Sequence, residues 1–330
     1  MCLASVLLLM AGAMPAAVPE KPWFDPATHH ERFVSANGVR FEVLDWGGSG
    51  PALIFLHGLG ENPHIFDDIA PAFANRYRVI AYARRGHGRS DARGPYDLPV
   101  LTEDLRGLMD ALGIAKATLV GWSIGGSEIT SMAIKYPQRV ESLIYFDGLF
   151  DYDDPVFAQA VKSAPAELDG LTPDAMTSLD AYRDYLRTVV FAGLDDIGRV
   201  EAYLRDEVVA LPDGTVKPVT PDSVQDEILK SARLPREYAR VQCRALAFVG
   251  TTGFSEPIAD PKRRAVVQAF EANALGPFRA RSIEHARREL RNLKIVVVPG
   301  AHATFFLVSR AQVVQAMREF LLAITRHKTS

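Results

Sequence analysis

The chain has 330 residues, 48% of them apolar and 23% charged, with a formal charge of −3 at pH 7. That composition suits a soluble globular protein with a core of its own, and so small a net charge gives no reason to expect nucleic acid or an anionic membrane as a partner. The length fits one large domain with a sizeable insertion, or two domains. Two cysteines, Cys2 and Cys243, exclude a disulfide framework and stand at no metal-ligand spacing.

The chain opens on M-C-L-A-S-V-L-L-L-M-A-G-A, an apolar run of the length of a signal-peptide core and too short to span a bilayer. Small residues follow, which puts cleavage after Ala13 or Ala17, although no Lys or Arg precedes Lys21. The expectation is a signal peptide and linker over 1–22 and an exported, periplasmic or secreted, mature chain. The alternatives are a buried N-terminal segment or a misjudged start, and with them a cytoplasmic protein. The Pro-rich P-E-K-P-W-F-D-P is irregular. R-F-V-S-A-N-G-V-R-F-E-V-L-D-W-G-G then predicts two strands around an Asn-Gly turn.

Short apolar runs recur at 52–58, 77–83, 117–122, 142–148, 245–250 and 294–300. Continuous apolarity of this kind predicts strands buried on both faces, as in a parallel sheet. Between them L-T-E-D-L-R-G-L-M-D-A-L-G carries Leu101, Leu105, Leu108 and Leu112 at helical spacing, with a start near Thr102 and a stop at Gly113. The alternation predicts an α/β fold that begins with an antiparallel hairpin. From Gly148 to Cys243 the pattern breaks into helical segments (181–192, 196–210, 222–233) rich in Tyr and Phe, with no buried strand. Two more helices are expected in 257–292. The predicted organisation is a core over 23–147, a helical cap inserted at 148–243 and the rest of the core over 244–330.

Gly121-Trp122-Ser123-Ile124-Gly125 falls between a predicted strand and a predicted helix and matches G-x-S-x-G. A serine nucleophile there needs a sharp, strained turn that exposes its hydroxyl, and bulky residues two positions away would collide with the strand and helix. From this point the chain resembles the α/β-hydrolase fold family, over about residues 31–325. The resemblance implies a mostly parallel central sheet with helices on both faces and an inserted cap.

His57-Gly58-Leu59-Gly60 occupies the place of the family's H-G-x-G-like loop. It implies an oxyanion hole from the backbone N–H groups of Leu59 and Ile124, donors worth about 3 kcal/mol each in such sites. His57 itself reads as structural, and Arg84-Arg85-Gly86-His87-Gly88-Arg89-Ser90 looks like a scaffold turn of the family. His302, in V-V-V-P-G-A-H after the last strand, stands where the family places its catalytic base. His29, His30, His64, His285 and His327 fit that role worse.

The acid departs from the common pattern. Where the family usually shows Gly-x-x-Asp-x-x-x-Pro, the chain has Gly250-Thr251-Thr252-Gly253-Phe254-Ser255-Glu256-Pro257, with glycine in the carboxylate's place. Asp147, at the end of S-L-I-Y-F-D-G, is the leading candidate, because some family members place their acid one strand earlier. Glu256 is the alternative acid, followed by Asp151, Asp260 or no acid.

The resulting mechanism needs no metal or organic cofactor, and the pair His29-His30 reads as solvated. Trp122, Phe150 and Phe305 are candidate pocket residues. Tyr152, Phe157, Tyr182, Tyr185 and Phe191 either roof the pocket or pack the cap's own core. Together these favour a small apolar or aromatic substrate. Four readings stay open: a carboxylic-ester hydrolase first, then a carbon–carbon hydrolase of a diketone-like compound, an acyltransferase or perhydrolase, and last a non-catalytic small-molecule receptor. Relatives that open epoxides or remove halide place an aspartate where Ser123 stands.

Overall fold

Asn37 and Gly38, both left-handed at φ 50° and 73°, close the turn between β1 (His30–Ala36) and β2 (Val39–Gly47), the hairpin expected from the Asn-Gly pair. The computed structural model describes residues 23–165, 172–253, 258 and 260–329. The leader expected over 1–22 and the alternative acid Glu256 lie outside the described residues. No described helix is long and apolar enough to cross a membrane.

The apolar runs form β3 (Ala52–Leu56), β4 (Arg78–Tyr82), β5 (Ala117–Trp122) and β6 (Val140–Phe146). After a small hairpin, β7 (Val208–Ala210) with β8 (Val216–Pro218), come β9 (Arg244–Gly250) and β10 (Leu293–Val298). Eight strands make one sheet in the order β1-β2-β4-β3-β5-β6-β9-β10. β2 pairs antiparallel with β1 and β4, and the remaining neighbours are parallel. The protein is therefore an α/β fold with a mostly parallel sheet.

Period-two alternation divides the central strands between two cores. Leu53, Phe55, Val120, Ile144 and Phe248 face one side, with Val313, Met317 and Phe320 of the last helix. Ile54, Leu56, Leu119, Leu143 and Ala247 face the other, with Leu105, Leu108, Ile129 and Met132. Each such buried Val, Leu, Ile, Met or Phe contributes roughly 1.5–3 kcal/mol. β10 corrects the expectation of burial on both faces: it is the sheet's edge, and Val297 is 57% exposed. Apolarity alone does not reveal which strand has only one neighbour.

The first helix, α1 (Leu98–Ala111), starts before the expected Thr102. Asp97 caps it by accepting from the Val100 amide, and Thr102 lies one turn inside, its hydroxyl bonded to Leu98 O at 2.8 Å. α2 (Gly125–Lys135) follows β5 directly. The insertion holds α3 (Pro155–Lys162), α4 (Leu179–Tyr185), α5 (Glu201–Glu207) and α6 (Asp222–Ser231). It also holds the β7–β8 hairpin, which was not expected and turns on Pro212-Asp213-Gly214, with Gly214 at φ 86°. Tyr182, Leu186, Phe191 and Tyr203 of the insertion belong to the same apolar cluster as Trp122 and Phe306 of the core. Then come α7 (Pro261–Phe270) and α8 (Gly276–Glu289), joined by a π turn, and finally α9 (Phe305–Val308) and α10 (Arg310–Thr329).

The adjacent histidines are not a solvated pair. His30 is exposed at the start of β1, but the His29 side chain is only 5% exposed and bonds Asp67 Oδ1 at 3.0 Å.

Candidate active site

The carboxyl ends of β3, β5, β6, β9 and β10 carry the loops that meet at the site. Ser123 leaves β5 in the left-handed region at φ 54°, half-buried between buried neighbours. Only a small residue fits two places earlier: a Cβ on Gly121 would stand 2.4 Å from Gly125 O. The Ser123 amide bonds Phe146 O at 3.0 Å, which ties the turn to the next strand. β6 then ends in a similar turn, with Asp147 at φ 42° and its amide on Phe248 O at 2.9 Å. Two neighbouring parallel strands thus present a serine and an aspartate from strained backbone, the kind of strain that collects at functional sites.

His302 follows β10. Its amide bonds Gly253 O at 2.8 Å, its carbonyl accepts from Trp122 Nε1 at 3.0 Å, and its ring lies 5.8 Å from Trp122 and 5.4 Å from Phe150. Nδ1 is 2.9 Å from Asp147 Oδ2, so Asp147 is the carboxylate that reaches the ring. With Nδ1–H donated to a carboxylate, the tautomer leaves the lone pair on Nε2. Asp151 instead pairs with His285 at 2.8 Å, and Asp260 caps α7 on the Arg263 amide at 2.6 Å. The glycine at 253 suits its backbone, which is left-handed. It sits at φ 74°, and a Cβ there would stand 2.1 Å from Glu271 Oε2.

Among the described residues, no protein acceptor takes the amide N–H of Leu59 or of Ile124. Ile124 precedes α2, so its N–H lies at the positive end of a helix. The Leu59 loop is braced from below. His57 is fully buried, accepts the Arg84 amide on Nε2 at 3.1 Å and sits with Nδ1 2.9 Å from Gly58 O. Burial and Arg84 hold its imidazole well below the usual range, so it is neutral. Arg84 bonds Gly58 O at 2.9 Å and also engages His57 O and the buried Glu128. His87, its pKa lowered to about 3 by burial and Arg84, accepts the Gly60 amide at 3.3 Å. The R-R-G-H-G-R-S turn is therefore the platform under the loop.

Arg279 and Glu61 escaped the sequence reading, and Tyr152 was expected only as a pocket roof or as packing within the cap. The Tyr152 hydroxyl lies against the Ser123 side chain, and burial pushes its pKa up to about 12. Arg279 of α8 contacts both oxygens of Asp147, at 2.9 and 3.0 Å. Glu61 receives a hydrogen bond from Tyr203 of α5, while Asn62 donates to Tyr203 O at 2.9 Å and Glu207 at 3.1 Å, joining the loop to the insertion. Burial pushes the Glu61 carboxyl up to about 7. Of the expected pocket residues, Trp122 and Phe150 flank His302, whereas Phe305 packs on Phe146 and Phe248 at 5.6 and 6.4 Å in the core. Phe150, Tyr152, Phe157 and Phe278 cluster with Ile124 and Leu59 as an apolar wall.

A sheet of this order, with a serine turn after β5, a histidine loop after β10 and an insertion between β6 and β9, defines an α/β-hydrolase fold. The family model described as alpha/beta hydrolase fold matches residues 51–169. The chain has the α/β-hydrolase fold. It is 34% identical over 155 residues to 3-oxoadipate enol-lactonase 2 of Acinetobacter baylyi, covering 46% of this chain and 58% of that one. To a fluoroacetate dehalogenase of a Burkholderia species it is 28% identical over 300 residues, covering 83% and 88%. The matched stretch spans only 36% of the length of its mycobacterial relatives. Among solved structures, E-2-(acetamidomethylene)succinate hydrolase superposes with a TM-score of 0.67 at 22% identity, over 89% of this chain and 99% of that one.

Proposed function

We infer that the chain is a serine hydrolase cleaving a carboxylic ester or related acyl bond of a small, apolar or aromatic substrate. The observation that carries this reading is the 2.9 Å contact of His302 Nδ1 with Asp147, beside a serine held on a left-handed turn. His302 takes the Ser123 proton as the hydroxyl attacks the carbonyl carbon, and Asp147 fixes the ring and stabilises the imidazolium. The amides of Leu59 and Ile124 receive the developing oxyanion. The imidazolium returns the proton to the leaving group. Water, deprotonated by the same ring, then frees the acid from the acyl-enzyme.

The side chain at the elbow separates this reading from dehalogenase or epoxide-opening chemistry. Attack by serine on a saturated carbon would leave an ether, which water does not cleave, whereas an acyl-serine keeps a carbonyl that water can attack. A relative named for a lactone, which is a cyclic ester, accords with acyl chemistry. The apolar wall of Phe150, Tyr152, Phe157 and Phe278 supports an apolar or aromatic acyl or alcohol group.

The test is intact-mass labelling with a fluorophosphonate on wild type and Ser123→Ala. One adduct per chain, absent in the variant, is expected. Well-folded wild type that takes no label would overturn the reading in favour of a binding protein on this fold.

A further inference from the structure

We propose that Asp25, His29, His64 and Asp67 bind one divalent transition-metal ion, zinc by the chemistry of the donors, which pins the segment before β1 to the loop after β3. Each residue offers one ligand atom, and the four atoms lie within 4.8 Å of one another. His64 Nδ1 is 2.8 Å from Asp67 Oδ2, and His29 Nδ1 is 3.0 Å from Asp67 Oδ1. Asp25 Oδ2 stands 3.4 Å from His29 Nε2 and 3.5 Å from His64 Nδ1. Donors at about 2.0–2.1 Å from a tetrahedral zinc are themselves roughly 3.3 Å apart, so one nitrogen of His29 and one oxygen of Asp67 serve, and the four donors, within 4.8 Å of one another, would draw in slightly around the ion.

Hydrogen bonds within the cluster explain only part of it. They use both oxygens of Asp67, but Asp25 Oδ2 is buried and has no hydrogen-bond partner. That oxygen lies at ion-pair distance from both imidazoles without a hydrogen bond, and a cation among the four donors would give it a direct partner. Ligation requires both imidazoles neutral, and the two carboxylates then carry a charge of −2, which one divalent ion cancels. Two nitrogen donors disfavour calcium and magnesium, which take oxygen ligands, and a four-donor N₂O₂ set suits zinc.

The surroundings fit as well. With Nδ1 turned to the cluster, His64 has Nε2 3.9 Å from Asp206 Oδ2, a charge contact without a hydrogen bond. The rings of His29 and His64 meet edge to face at 5.2 Å, and Trp46 closes the side of His29 at 5.5 Å. His64 and Asp67 belong to the short 3-10 turn at Pro63–Phe66 and its cap, set by Asn62 accepting from the His64 amide at 3.0 Å. The same loop carries Leu59, so an ion here would stiffen the connection to the candidate oxyanion site.

The experiment uses the full chain, stripped with EDTA, desalted and titrated with zinc chloride against a chromophoric chelator. One equivalent of zinc per chain is expected, with unfolding about 5 °C higher at a hundredfold excess over Kd. Asp25→Asn/His29→Gln, both changed on the partly exposed segment, is expected to weaken zinc at least a hundredfold, and Asp25→Asn alone about tenfold. Cobalt(II) in wild type should give the intense visible bands of tetrahedral coordination. Folded wild type that takes up less than about a tenth of an equivalent overturns the proposal. So does a double variant that binds zinc as wild type does, or weak octahedral cobalt bands.

Discussion

Arg279 donates from Nη2 to both carboxylate oxygens of Asp147, at 2.9 and 3.0 Å, and to Gly250 O at 3.0 Å, while His302 Nδ1 meets the same carboxylate at 2.9 Å. The Asp147 side chain is 2% exposed and that of Arg279 11%, so the pair is shielded from water. The guanidinium holds both carboxylate oxygens, including the Oδ2 that receives Nδ1–H, and so restricts the carboxylate's rotation. Arg279→Met is expected to lower kcat toward an activated aryl ester about 10²-fold, as loss of positioning does, with KM little changed. Folding weakens by about 3 kcal/mol, because a buried carboxylate loses its partner. Arg279→Lys, which keeps a charge and a donor, should recover part of both. Steady-state kinetics with thermal unfolding checks this, and a Met variant at wild-type kcat would remove Arg279 from the mechanism.

Asp147→Asn keeps the shape but offers an amide to a ring that needs an acceptor at Nδ1. Turnover is expected to fall about 10⁴-fold through the wrong tautomer. Fluorophosphonate labelling should slow in parallel, since it depends on the same activated serine. A variant within tenfold of wild type in both would return the acid to Glu256.

The sheet was legible because each strand is a local apolar run bounded by turn residues, and Ser123 and His302 stood out as candidates because each lies in a short pattern at a strand end. Asp147 came forward as a candidate only through Gly253, which leaves the usual acid position without a carboxylate; the left-handed backbone at Gly253, φ 74°, has no local signal in the sequence. Arg279 was not legible. It is one of several arginines on α8, 132 positions from Asp147, and tertiary packing alone selects it. Likewise Asp25-x-x-x-His29 and His64-x-x-Asp67 are two weak local pairs that become a four-donor cluster only when β1 and β2 fold back along the sheet. β10 misled because its apolar residues look the same at an edge as in the middle.

Glu61 makes stability depend on pH near neutrality. Burial pushes its carboxyl from 4.5 to about 7, against the lowering effects of Tyr203 and Arg84, and the neighbouring Glu207 is buried and raised as well. Below pH 4.5 folded and unfolded chains are both protonated and the contribution is complete. Between 4.5 and about 7 the unfolded chain ionises while the folded one does not, so stability falls as pH rises, by about 3 kcal/mol at most. Glu61→Gln keeps an oxygen for the Tyr203 hydroxyl and cannot ionise. Thermal unfolding should find the variant gaining on wild type from pH 5 to pH 8, and a constant difference across that range would refute the assignment.

His87 acts with the opposite sign, and from the other side of the same loop. Burial and Arg84 lower its pKa from 6.5 to about 3, so the folded protein holds it neutral with Nε2 accepting the Gly60 amide. Above pH 6.5 its contribution is fully present. As pH falls from 6.5 toward 3 the unfolded chain takes a proton that the folded chain refuses, and stability drops by about 5 kcal/mol at most. His57, lowered for the same reasons, adds to the drop. His87→Gln offers the Gly60 amide an uncharged acceptor and removes one such proton, so its unfolding temperature should fall less steeply than that of wild type between pH 6.5 and 4. Because protonated His87 can no longer accept from Gly60, wild type should also lose fluorophosphonate reactivity on acidification more sharply than the Gln variant. Parallel slopes for the two proteins would mean that the turn below the Leu59 loop does not carry the acid sensitivity.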